Sequence, residues 1–140
     1  MKSKLILSLL LVICLSLVFS NTWVSAAPPV PHTFYGTVKV NGANPPAYAV
    51  VEAVIGGVTY ASRTVATHGS SMVYSLDVPG DMEETPAKKE GGVEGEEIQF
   101  RVGGLVATQK GTWHKGQRTE LNLTASGTVA TVTPTNTEPP

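Results

Sequence analysis

The sequence predicts an all-β protein: one antiparallel β-sandwich of about seven strands with Greek-key connections, preceded by a secretory leader and followed by a disordered tail. Three observations predict it. Short segments alternate apolar and polar residues with period two, as in Ile98, Phe100 and Val102 against Gln99 and Arg101. Turn-forming pairs, Asn41-Gly42, Gly56-Gly57 and Gly103-Gly104, separate those segments. No stretch after the leader carries a helical apolar period.

The leader comes first. Lys2 and Lys4 precede an unbroken apolar run from Leu5 to Phe19, and small residues follow at Val24-Ser25-Ala26-Ala27. That order is the signature of a secretory signal peptide, expected over residues 1–27 with cleavage after Ala26 or Ala27. The run is about 15 residues, short of the roughly 20 that a spanning helix needs, so no membrane span is expected after cleavage. Cys14 follows Ile13, where lipoprotein processing requires a small residue. The mature chain is therefore expected to lack cysteine, which excludes disulfides, cysteine-based zinc sites and a thiol nucleophile.

The body is expected over residues 28–125. Pro28-Pro29-Val30-Pro31 reads as a stiff linker. A first strand follows, with Phe34, Val38 and Val40 on one face and Tyr35, Thr37 and Lys39 on the other. Tyr48 to Ile55 is β-rich and nearly all apolar, as a central strand is. Gly56-Gly57 turns it into a hairpin partner, Val58 to Arg63. Thr64 to Thr67 extends or bulges that strand, and His68 to Ser71 is a turn. Met72 to Val78 forms the next strand and ends at Pro79-Gly80. The strand centred on Phe100 leads through Gly103-Gly104 into Leu105 to Gln109 and a short segment Gly111 to His114. Thr119 to Thr124 closes the domain, Leu121 and Leu123 facing inward. The expected core is Phe34, Val38, Val51, Leu76, Ile98, Phe100 and Leu121. Residues 126–140, rich in Thr and Pro with one acid, read as a disordered tail or the start of a stalk.

Charge sorts the function classes. The whole chain holds ten Lys and Arg against eleven Asp and Glu, and the leader removes two of the lysines. A mildly acidic domain without a basic stripe is not built for nucleic acid. The acids crowd into the loop from Asp77 to Glu97, and long loops on rigid scaffolds are where binding concentrates. Asp77, Asp81, Glu83, Glu84 and Glu97 are candidate calcium ligands, since that cation takes about six to eight oxygens from carboxylates, carbonyls and water. The spacing matches no EF-hand, and the alternative is a solvated loop that keeps the domain soluble. No other cofactor is expected.

Neither Glu83 and Glu84 nor the histidines suggest catalysis. Adjacent glutamates cannot flank a glycosidic bond, which needs two carboxyls across a cleft. His32, His68 and His114 show no metal-site or triad spacing and read as surface residues. The protein is expected not to be an enzyme. Trp113 beside His114, in a polar turn, is the candidate ligand site, a ring that could stack on a sugar, with Tyr35, Tyr48, Tyr60 and Tyr74 as further rings. The alternative is that Trp113 folds back to cap one end of the sandwich, since large rings are usually well buried.

Phe34-Tyr35-Gly36-Thr37-Val38, Asn41-Gly42, Val50-Val51-Glu52-Ala53, Val78-Pro79-Gly80-Asp81, Glu96-Glu97-Ile98-Gln99-Phe100, Trp113-His114 and Glu120-Leu121-Asn122-Leu123 together resemble a known module. It is a secreted β-sandwich of bacterial and archaeal surface proteins, near the carboxypeptidase regulatory-like and transthyretin (prealbumin)-like superfamily. The resemblance spans His32 to Ala125. It implies a monomeric, secreted or cell-surface module acting in adhesion or as a spacer, with carbohydrate binding as the alternative and a polysaccharide as the candidate partner. Related surface modules also cross-link a strand lysine to an asparagine beside a buried glutamate. Lys39, Asn122 and Glu52 are of those types, but alternation turns Lys39 and Asn122 outward, away from the dry core such a bond requires.

Overall fold

The computed structural model describes residues 27, 29–82, 85 and 87–128. The leader, Glu83, Glu84 and most of the tail therefore lie outside the described residues. Among those described the protein is all-β, without a helix. Nine strands are present: β1 (His32–Val40), β2 (Val50–Ile55), β3 (Val58–Thr64), β4 (Ala66–His68), β5 (Ser71–Val78), β6 (Glu97–Val102), β7 (Leu105–Thr112), β8 (Arg118–Glu120) and β9 (Leu123–Ala125).

They form one mixed sheet in the order β3-β2-β6-β7-β9-β1-β5-β4, with β8 also on β1. This differs from the expected antiparallel sandwich of about seven strands in two places. First, β8 and β9 both run parallel to β1. Second, β4 continues β3 past a single residue, Val65, whose N–H donates to the Ala49 carbonyl at 2.9 Å. The stretch that could extend or bulge β3 thus does both: β3 pairs with β2, the chain turns a corner at Val65, and β4 pairs with β5. The two ends of the sheet are the same bent strand, and the result is a flattened, nearly closed barrel.

The alternation read from β1 and β6 is the observed one. Phe34, Val38, Val51, Leu76, Ile98 and Phe100 are buried, and Leu123 joins them. Leu121 is only partly buried. The cause is a break in the closing strand. Thr33–Tyr35 pair with Arg118–Glu120, and Val38–Val40 pair with Leu123–Ala125 in the same register, but Leu121 and Asn122 between them leave the ladder. The Asn122 side chain takes over the missing backbone role: its Oδ1 accepts from the Thr37 N–H at 2.8 Å and the Thr37 hydroxyl at 2.9 Å.

Gly36 makes that break possible. A Cβ built there would lie 2.6 Å from the Leu121 carbonyl oxygen and 2.9 Å from Asn122 Oδ1. Gly36→Ala is therefore expected to destabilise the domain by about 1–3 kcal/mol, the range for overpacking a closed site. A denaturant midpoint equal to that of the parent would show that the Leu121–Asn122 segment moves aside freely.

Candidate functional site: the clasped acidic loop

The loop between β5 and β6 is closed at its base by backbone. Gly80 and Gly92 form a parallel bridge. Asp81 N–H donates to Gly92 O at 3.0 Å, and Gly92 N–H donates to Pro79 O at 2.9 Å. This bridge lies on the ring of Trp113, which follows β7. A Cβ on Gly80 would meet Trp113 Cζ2 at 2.8 Å, and one on Gly92 would meet Cδ1 at 2.5 Å. Only residues without a side chain let the backbone approach an indole so closely. Pro29, in the segment expected to be a linker, packs on Gly80, so it is laid against the body instead of hanging free.

Trp113 is consequently a buried cap. It is 3% exposed, and its indole N–H donates to the Val78 carbonyl at 3.0 Å. The Trp113 ring therefore presents no open face in this conformation, as the cap alternative expects.

Among the described residues, Asp77, Asp81, Glu96 and Glu97 are each bound to a different partner. Asp77 accepts from the Thr33 hydroxyl at 2.6 Å, on the outer face of β1 and β5. Asp81 Oδ1 accepts from the Glu90 N–H at 2.7 Å, across the loop interior. Glu97 pairs with Lys110 at 2.8 Å and Glu96 with Lys89 at 2.5 Å. Asp77, Asp81 and Glu97 do not converge, and no cluster of three or more metal-ligating side chains exists among the described residues. The candidate calcium set is not assembled by these three, and Glu83 and Glu84 fall outside the described residues. Likewise Lys39 donates to Asn44 at 2.7 Å, while Asn122 serves Thr37, so the cross-linking types stay apart.

What the fold does bring together is a pair of histidines expected to be scattered on the surface. His32, at the start of β1, is 1% exposed. Its ring stacks on Phe34 at 4.0 Å between centroids and lies 6.1 Å from the ring of His114. Its Nδ1 accepts from the His114 N–H at 2.9 Å, and its Nε2 sits 2.8 Å from the Thr119 hydroxyl. An Nδ1 that accepts is unprotonated, so the ring is neutral with its proton on Nε2, donated to Thr119. Burial, and then the neighbouring His114, hold the His32 pKa below the ordinary value, while Glu94 opposes them.

His114 itself is half-exposed. Its Nδ1 meets Glu94 Oε1 at 2.5 Å, and Glu94 Oε2 accepts from the Lys115 N–H at 3.1 Å. The hydrogen bond from His114, then that from Lys115, holds the Glu94 carboxyl below the usual range. The sequence carried a signal for His32: it stands two residues before Phe34, in phase with the inward face of β1. On the opposite side of the core, burial pushes the Tyr74 phenol up, and its hydroxyl donates to the Leu121 carbonyl at 2.8 Å.

No family model, curated protein or solved structure matches the chain. The site must therefore be read from its own geometry. One further opening bears on function, a groove of about 370 Å³ between β3 and β5, lined by Tyr60, Ser62, Arg63, Ser75 and Asp77 among others. It lies where the barrel is not hydrogen-bonded shut, since β3 pairs with β2 and β5 with β1 and β4.

Proposed function

We propose that the chain is a non-catalytic module working outside the cytoplasm, in adhesion or as a structural spacer, after export on residues 1–27. The observation that carries this reading is the clasped loop. The Gly80–Gly92 bridge on Trp113 and the bonds of Glu94 to His114 and Lys115 hold the loop to the barrel, whereas a catalytic group must be free to meet a substrate. A body whose longest loop is tied down at its base and again at Glu94 suits presentation or spacing. The prealbumin-like sandwich belongs to the same proposal. Residues of β1 and β5 on one side and of β2, β6 and β7 on the other meet in a single core, which supports it.

The test is location and processing. Labelling of intact cells should reach the protein, and its mass should correspond to a start at Ala27 or Pro28. A chain that retains Met1 and fractionates with the cytoplasm sinks the proposal.

The second reading, a carbohydrate-binding module, is favoured by the β3–β5 groove, which combines one aromatic ring with hydroxyl, guanidinium and carboxylate groups. Titration with a panel of soluble polysaccharides, followed by calorimetry, is expected to give no saturable heat. Saturable binding that disappears in Tyr60→Ala would replace the spacer reading with the carbohydrate one. The same samples with millimolar calcium test the loop. A ligand that binds only the native state must raise its melting temperature, and no rise is expected.

A further inference from the structure

We propose that His32 is an acid-released latch: protonation of its ring frees the start of the turn at His114 and Lys115, while the barrel and the base of the acidic loop stay closed.

The geometry places the latch between two parts of different strength. On one side stands β1, held along its length by β5, β8 and β9. On the other stands the turn between β7 and β8. His32 Nδ1 holds the backbone N–H of its first residue, His114. The turn in turn holds two further segments. Gly116 N–H donates to the Val30 carbonyl at 3.1 Å, and Glu94 of the acidic loop takes both the His114 ring and the Lys115 N–H. The latch therefore holds the start of the turn, whereas its end is held separately by the Thr33 N–H, which donates to the Gln117 carbonyl at 2.9 Å.

A proton at Nδ1 turns that acceptor into a donor aimed at another donor, the His114 N–H. The contact cannot survive it. The groups that face His32 do not rescue the cation. From β8 the neighbour is the Thr119 hydroxyl, while Arg118 lies over Tyr35 on the outer face. From β5 the register partner is Val78, and the Asp77 carboxylate is bound by Thr33 on that outer face. From the turn comes the His114 ring, itself a cation when protonated, with Glu94 behind it. Lys115 adds a further positive charge to the turn.

The Glu94 carboxyl, held below the usual range, keeps its bonds to the His114 ring and the Lys115 N–H. The loop itself stays on the barrel, because the Gly95 N–H and the Glu96 carbonyl bond the Trp113 backbone. The sign follows from proton binding. Folded His32 binds protons less readily than an ordinary histidine, so the opened state takes up the proton, and opening is favoured as pH falls below about 6.5.

Amide exchange on the full exported chain tests the proposal. Between pH 7 and pH 5 the protection factor of the His114 amide is expected to fall about tenfold or more, while the Phe100 amide keeps its protection. In His32→Asn, whose Oδ1 stands in the place of Nδ1 but does not titrate, the His114 protection should be independent of pH. His114→Gln should leave the response of the turn amides in place. Three results overturn the latch: an unchanged His114 amide in the parent, a fall shared equally by Phe100, or a response that persists in His32→Asn. Should that variant fail to fold, the His32 ring resonances of the parent decide. Titration at the ordinary histidine value without loss of the His114 amide overturns the proposal, and titration below it in step with that loss supports it.

Discussion

Phe100→Ala is expected to lower the free energy of unfolding by about 3–5 kcal/mol, the range for removing a large buried ring. Phe100 is fully buried, and its ring meets the edge of Phe34 at 5.1 Å between centroids, with Tyr74 at 6.5 Å. Gly111 of β7 lies across both phenylalanines, where a Cβ would come within 2.8 Å of Phe34 and 3.1 Å of Phe100. The space vacated by Phe100 is therefore bounded by two rings and a backbone, none of which can collapse into it without moving a strand. In a domain of about 100 residues such a loss approaches the whole net stability. Urea unfolding at neutral pH measures it, and a midpoint unchanged from the parent would mean that β6 presents its other face to the core.

Trp113→Ala is expected to cost a comparable 3–5 kcal/mol, with a different signature. The ring supports the Gly80–Gly92 bridge, and its N–H satisfies the Val78 carbonyl. Without it the loop loses its floor. Proteolytic cleavage between Met82 and Glu90 should accelerate even where the barrel remains folded. Trp113→Phe separates the two contributions. It keeps much of the floor and removes the indole N–H that donates to the Val78 carbonyl, a hydrogen bond worth about 0.5–1.5 kcal/mol. If Trp113→Phe and Trp113→Ala melt together, the hydrogen bond and not the ring surface holds the loop.

Local pattern foretold most of the strands. Phe34, Val38 and Val40 in β1, and Ile98, Phe100 and Val102 in β6, alternate cleanly, and period two is a property of neighbouring residues alone. The long apolar run around Val51 marked a covered strand, and β2 does lie between β3 and β6. The closure of the barrel could not be read in the same way. Whether Thr64 to Thr67 bends or continues depends on Ala49, whose carbonyl takes the Val65 N–H, and no local signal reports that bond. The break at Leu121–Asn122 likewise depends on Gly36 in another strand.

The site was less legible than the fold, for the same reason. His32 and His114 are 82 positions apart and meet only because β8 returns beside β1. Trp113 could be read either as an exposed ring or as a cap, because its neighbours in sequence are polar, whereas its neighbours in space are Gly80 and Gly92. The carboxylates read as an open cluster because charge counts do not reveal partners. Thr33, the Glu90 N–H and Lys110 take Asp77, Asp81 and Glu97 in different directions.

The parallel run of β9 along β1 has a mechanical consequence. β1 enters at His32, at one end of the barrel, and β9 leaves at Ala125, beside Val40 at the other. Tension applied through the chain on either side of the domain would pull these two strands past each other along their length. The ladder bonds lie across that pull, so they resist together in shear and do not unzip one after another. The Tyr74 hydroxyl and the Asn122 side chain add cross-ties at the middle of the seam. A domain threaded in this way carries load from end to end.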